Sequence, residues 1–127
     1  MGLRITNEQE VAVNLAIYLA KVYDAELKLV ELEGDKFVYV GNSLFATLIT
    51  VCELKKGKCI KIEQLITKDK GTRLFTDVMK SIIEIADIEK VKLGLWCEKD
   101  NKELFNLYSR LGFKYIETIN DDWLEYN

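Results

Sequence analysis

The chain changes its hydrophobic period twice. Between residues 7 and 23 apolar positions recur at helical spacing, with Val11, Leu15, Leu19 and Val22 in line. Asn7 is placed to cap this segment, and Glu8 and Glu10 suit the positive end of a helix dipole. From residue 27 the period shortens towards two. Residues 27–33 set Leu27, Leu29 and Glu31 against Lys28, Val30 and Leu32, and Gly34-Asp35 turns the chain into 36–40. Gly41-Asn42-Ser43 leads into the β-branched run 44–54, and Lys56-Gly57 closes a hairpin onto 58–67. In that last strand simple alternation sends Ile60, Ile62 and Ile66 to one face and Lys61, Glu63 and Leu65 to the other. The four runs predict a meander of antiparallel strands.

Helical spacing then returns. Leu74, Phe75, Val78, Met79, Ile82, Ile83 and Ala86 form an apolar stripe two residues wide. Residues 91–96 read as a short apolar strand containing Gly94. Residues 101–111 read as a helix, with Leu104, Leu107, Tyr108 and Leu111 aligned and Gly112 where a left-handed residue is wanted. Residues 113–119 and 123–126 read as two final strands. The order helix, meander, helix, strand, helix, strands predicts an α/β (α+β) architecture, a mixed and mostly antiparallel sheet flanked by helices. No repeat or linker interrupts the 127 residues, so 1–127 is read as one domain.

Composition narrows the chemistry. Apolar residues make up 49% of the chain, yet no stretch approaches the roughly twenty apolar residues of a membrane span, so no membrane partner is expected. The opening MGLRITNEQE lacks a basic and then apolar signal, from which a cytoplasmic protein is expected. Cys52, Cys59 and Cys97 are odd in number and argue against a disulfide framework. There is no histidine, which removes histidine bases, Ser-His and Cys-His nucleophiles and histidine-bound metals; no metal site is expected. Carboxylates, phenols, thiols, lysines and backbone groups remain.

The net charge of −3 is unevenly spread. Residues 55–73 carry seven Lys or Arg against Glu63 and Asp69, within an otherwise acidic chain. Such an island suggests a local anion site, whereas a nucleic-acid surface would want a broader basic face interleaved with aromatic residues; no nucleic-acid partner is expected. Lys55, Lys56 and Lys58 flank a hairpin turn and serve solubility. Lys68, Lys70 and Arg73 fall where a strand gives way to a helix. There the first unpaired amides and the helix dipole favour phosphate, and Gly71 lets the backbone approach a ligand.

The run Asn101-Lys102-Glu103-Leu104-Phe105-Asn106-Leu107-Tyr108-Ser109-Arg110-Leu111-Gly112-Phe113 matches, in the spacing Asn101 to Tyr108 to Gly112-Phe113, a known pattern. It resembles the late motif of the GNAT superfamily of acetyl-CoA-dependent N-acetyltransferases: Asn, seven positions on to Tyr, a short basic stretch, then Leu-Gly-Phe opening a strand. Gly71-Thr72-Arg73-Leu74-Phe75 is similar to the end of that family's pyrophosphate loop, and the strand around Lys92-Leu93-Gly94-Leu95-Trp96 sits where its fifth strand falls. The resemblance covers about residues 44–117. In three respects the chain departs from the pattern. Asp69 and Lys70 precede a single glycine where the family has an Arg or Gln and two glycines, the loop is several residues shorter, and the chain opens with a helix instead of a strand.

The resemblance implies a GNAT-like sheet whose fourth and fifth strands splay apart, with the pantetheine arm of acetyl-CoA in the wedge. Leu65, Ile66 and Thr67 would then lie nearest the arm, the amides of Lys70, Gly71, Thr72, Arg73 and Leu74 would meet the pyrophosphate, and Asn101 would touch the arm while also capping its helix. Tyr108 would protonate the departing thiolate, its other reading being a core aromatic. Glu63 would take the proton of the attacking amine, its other reading being an ion pair with Lys61 or a neighbouring strand. The acceptor would be a small-molecule or protein amine. The acidic stretch Glu117, Asp121, Asp122 and Glu125 suits a cationic one, and is equally a solvated terminus. Cys97 is expected to be a small buried residue, Trp96 and Trp123 core or interface aromatics. A homodimer is compatible with the family's habits. The departures favour an alternative, a GNAT-fold protein without catalysis that senses CoA or binds another protein.

Overall fold

The computed structural model describes residues 7–54, 57–68, 73–98, 100–116 and 122–126. Helix α1 (Asn7–Val22) leads into strands β1 (Glu26–Leu32), β2 (Asp35–Gly41), β3 (Phe45–Leu54) and β4 (Gly57–Thr67). Helix α2 (Arg73–Glu89) connects β4 to β5 (Leu93–Trp96), and α3 (Lys102–Arg110) is followed by the short β6 (Lys114–Tyr115) and by β7 (Trp123–Tyr126). The strands form one sheet in the order β1-β2-β3-β4-β5-β7-β6. Every neighbouring pair is antiparallel except β4 and β5, which run parallel with α2 as their crossover. The expected mixed, mostly antiparallel sheet with helices is therefore what forms.

Local chemistry accounts for the meander. Leu32 pairs with Asp35, which leaves Glu33-Gly34 as a two-residue loop. Both of its residues have positive φ, 50° and 86°, the conformation whose twist matches a β-hairpin. At the next turn the Asn42 side chain accepts from the amides of Leu44 and Phe45 and donates to the Tyr23 carbonyl, so one residue closes the hairpin and ties it to the end of α1. Gly112 ends α3 with φ 106°, the left-handed position expected of it.

Apolar side chains from all three helices meet one face of the sheet in a single cluster. Leu15 and Leu19 of α1, Met79 and Ile82 of α2, and Tyr108 of α3 pack there with Val40, Ile49, Ile60, Leu93 and Leu124. Val22 departs from the expected stripe: it is exposed at the end of α1. The edge strand β1 is also thinly covered, with Leu29 81% exposed.

The simple alternation assigned to β4 fails at Glu63. Ile49 pairs with Ile62 but Leu48 pairs with Gln64, so Glu63 is an extra residue, a β-bulge. The bulge inverts everything after it. Ile60 and Ile62 face the core as expected, but Leu65 then turns inward and Ile66 outward, 54% exposed.

On the other face, Trp123 lies flat against Gly94. A Cβ on Gly94 would collide with the Trp123 ring at Cζ2, so this position needs glycine for space. Gly94→Ala is expected to destabilise the protein by about 1–3 kcal/mol, the usual range for overpacking. A lowered midpoint in chemical denaturation checks this; an unchanged one would mean that Trp123 is not seated there.

Candidate functional site

The β4–β5 pairing sets the site. The two parallel strands share only the pairs Ile60↔Leu93 and Lys61↔Gly94, with the Ile60 amide donating to the Lys92 carbonyl at 2.9 Å. Beyond them β4 runs on from Ile62 to Ile66 and β5 through Leu95 and Trp96 without pairing to each other. Each keeps its outer partner: β4 stays bonded to β3 as far as Thr67, and β5 pairs with β7 along all four residues. The strands therefore splay into a fork, as expected, and the fork is held open from both sides.

Several of the expected site residues gather around it. Tyr108 of α3 lies on the helix-covered face, in the core cluster and near Cys97, which follows β5. Its ring packs at 5.9 Å from Phe75 in the first turns of α2 and edge-to-face at 5.5 Å from Phe113. The residue is 7% exposed, and burial, with a smaller contribution from the neighbouring Cys97 thiol, pushes its phenol well above the ordinary value. Among the described residues its hydroxyl makes no hydrogen bond, and no sealed side-chain oxygen or nitrogen lacks a partner. The ring is thus a core aromatic. Cys97, just past β5, is buried, and its thiol is likewise raised by burial, then by Asp122 and Glu98.

Glu63 stands on the opposite face, where the bulge leaves it. Its carboxylate takes an ion pair from Lys61 Nζ at 2.6 Å, so the pairing expected as its alternative does form. Lys61 Nζ also lies 5.9 Å from the centroid of the Trp96 ring. Trp96 is 47% exposed and meets Trp123 edge-to-face at 5.0 Å, while Trp123 itself is buried. The Lys61–Glu63–Trp96 cluster was only half visible in the sequence. The i, i+2 spacing of Lys61 and Glu63 on a strand pointed to the ion pair, but nothing pointed to Trp96.

The remaining expected residues divide. Arg73 is exposed and Leu74 half-buried at the start of α2, a 17-residue helix with no acidic residue in its first turn, so its free amides keep their positive potential. Lys70, Gly71 and Thr72 lie outside the described residues, as do Asp69, Glu117 and Asp121. Leu65 packs against the core, and Ile66 and Thr67 border a depression of about 280 Å³ next to the β2–β3 turn. A larger one of about 350 Å³ sits at the far end of α2, away from the fork. Asn101 caps α3: its side chain accepts from the Leu104 amide at 3.3 Å. Glu125 is mostly consumed inside the protein, bonded by Trp123 Nε1 at 2.8 Å and Lys92 Nζ at 3.4 Å, and so adds little to an acidic acceptor surface. Among the described residues no cluster of acidic and cysteine side chains is arranged to hold a metal.

No protein-family model matches the chain, and no curated protein matches its sequence. Among solved structures with a similar fold is Naa50 of Arabidopsis thaliana in complex with the bisubstrate analogue CoA-Ac-MVNAL. Its TM-score is 0.50 at 14% identity, over 100% of this chain and 96% of that one. An acetyltransferase of GNAT family from Streptococcus pneumoniae gives 0.46 at 16% identity, over 96% of this chain and 93% of that one. The anti-CRISPR protein AcrVA5 gives 0.47 at 13% identity, over 80% and 98%. At these identities the likeness is one of fold, and the first of the three carries it.

The raised phenol of Tyr108 has a consequence for stability. Above the ordinary phenol value of about 10 the unfolded chain ionises while the folded one stays neutral. The contribution of Tyr108 is therefore complete below that pH and is lost as pH rises past it. Denaturation midpoints are expected to fall less steeply between about pH 10 and 11 in Tyr108→Phe than in the wild type. Equal slopes would mean that the phenol is not buried.

Proposed function

From the GNAT fold that the chain has, we propose that it is an acyltransferase moving an acetyl group from acetyl-CoA to a primary amine by direct attack. The observation that carries this reading is the fork. Two strands that stop pairing yet remain fixed by their outer neighbours leave facing backbone groups without each other as partners, with Tyr108 on one face of the sheet and Glu63 on the other. That the similarly folded Naa50 is seen in complex with a CoA-linked bisubstrate analogue supports coenzyme A as the ligand. Backbone on the open edge of β4, around Leu65, Ile66 and Thr67, would hold the pantetheine arm, together with Asn101. The amides of Arg73 and Leu74 would begin the pyrophosphate site, with Lys70, Gly71 and Thr72 completing it.

The amine nitrogen attacks the thioester carbonyl carbon, a C–N bond forms, the C–S bond breaks, and coenzyme A leaves as the thiolate. Glu63 accepts the proton lost by the amine, directly or through water, and Tyr108 donates one to the thiolate. Burial keeps the phenol protonated at every working pH, so the donor is always loaded. The same burial makes the phenolate costly, so the phenol would be reprotonated from solvent as the products leave. Holding amine and thioester in line across the fork supplies much of the remaining rate.

A second reading, a CoA-binding protein without turnover, is favoured by one observation: Lys61 already occupies the carboxylate that would serve as base.

Acetyl-CoA at saturation is expected to raise the melting temperature; ligand at about a hundred times its Kd adds roughly 2.7 kcal/mol. Release of free thiol in the presence of a panel of primary amines separates the two readings. Tyr108→Phe should lower kcat about a hundredfold with little change in the KM for acetyl-CoA. No melting shift with acetyl-CoA would overturn both readings, and a shift without thiol release would leave the second.

A further inference from the structure

The cluster on the open face of the fork already contains a bound cation, supplied by the protein itself. The Lys61 ammonium sits 2.6 Å from Glu63 Oε2 and 5.9 Å from the centre of the Trp96 ring. A carboxylate beside the face of an indole is a recognition surface for an alkylammonium, since the charge is met by the anion and the methylenes by the ring. The parts are placed unlike those of an ordinary surface pair. Lys61 belongs to the last β4–β5 pair, so it stands at the vertex of the fork, and its side chain is only 19% exposed. Glu63 is the bulge residue that the fold turns outward, and Trp96 ends β5 half in solvent. Trp123, fixed over Gly94, backs the Trp96 ring from the side and keeps it upright.

We propose that Glu63 and Trp96 form a binding site for a primary alkylammonium acceptor, and that the Lys61 ammonium is an intramolecular occupant which the acceptor displaces. The inference rests on the acyltransferase reading for its role but not for its binding chemistry. It names the acceptor class as a primary amine on an unbranched, flexible stem, because that is the shape of the group now seated there. The occupant also keeps Glu63 from acting as base until a competing amine arrives. Exchange of one ammonium for another preserves the charge of the site, so Glu63 is never left without a counter-ion.

The test uses n-butylammonium as probe and tryptophan fluorescence as readout, titrated at constant ionic strength with sodium chloride as control. Lys61→Met keeps the apolar stem and removes the charge. It is expected to bind n-butylammonium about tenfold more tightly than the wild type, and Lys61→Gln should do the same if Lys61→Met does not fold. In the Lys61→Met background, Glu63→Gln and Trp96→Leu should each abolish the saturable response. No saturable response beyond the sodium control in either Lys61 variant, or an affinity no tighter than wild type, would overturn the proposal. So would a response that survives Trp96→Leu as a change in Trp123 emission. Melting of the same variants with acetyl-CoA separates the two levels. A cofactor shift without amine binding sinks only this inference, whereas amine binding without a cofactor shift sinks the acyltransferase reading.

Discussion

Parallel strands share hydrogen bonds only while their backbones run about 4.8 Å apart, and β4 and β5 do so at two residue pairs. Everything proposed for this protein depends on that pairing ending where it does and on the gap staying open. A strand end without a partner would ordinarily fray. Here both strands are anchored on their far sides, β4 by the long antiparallel ladder with β3 and β5 by β7 over its whole length. The seat of Trp123 against Gly94 adds a packing term that draws β5 towards β7. The opening is thus a property of the sheet's outer contacts.

The bulge at Glu63 is the second structural decision, and it works on the same strand. One extra residue in β4 exchanges the two faces beyond it, so that Leu65 seals the core beside Thr47 while Ile66 is turned outward. It also leaves Glu63 on the face shared with Lys61 and Trp96. Without it, regular alternation would put Ile66 inside and Leu65 out, and the ladder with β3 would shift by one residue.

The two faces of the fork differ in kind. On the helix-covered side Tyr108 is packed among Phe75, Phe113 and Cys97, a dry setting that holds a phenol neutral. On the other side the Glu63 carboxylate and the Trp96 indole are partly open to solvent, with the Lys61 ammonium, its side chain 19% exposed, near both. In the acyltransferase proposed above, Tyr108 would be the proton donor and Glu63 the base. The sheet keeps the two apart by its own thickness.

Much of this was legible in the residues alone. The order of elements, the Gly34 and Gly112 turns and the apolar stripe of α2 rest on local rules of spacing, capping and backbone freedom, which act within a few residues of each other. Asn101 as a cap and Tyr108 as a core aromatic follow from the same rules. The tertiary structure alone decided the rest: that β4 carries a bulge, that Val22 and Leu29 lie beyond the reach of the packed core, that Glu125 is consumed by Trp123 and Lys92, and that Trp96 joins Lys61 and Glu63. Each depends on which strand lies beside which and in what register. Pairings between residues 27 to 35 positions apart in the chain leave no trace in the period of either partner.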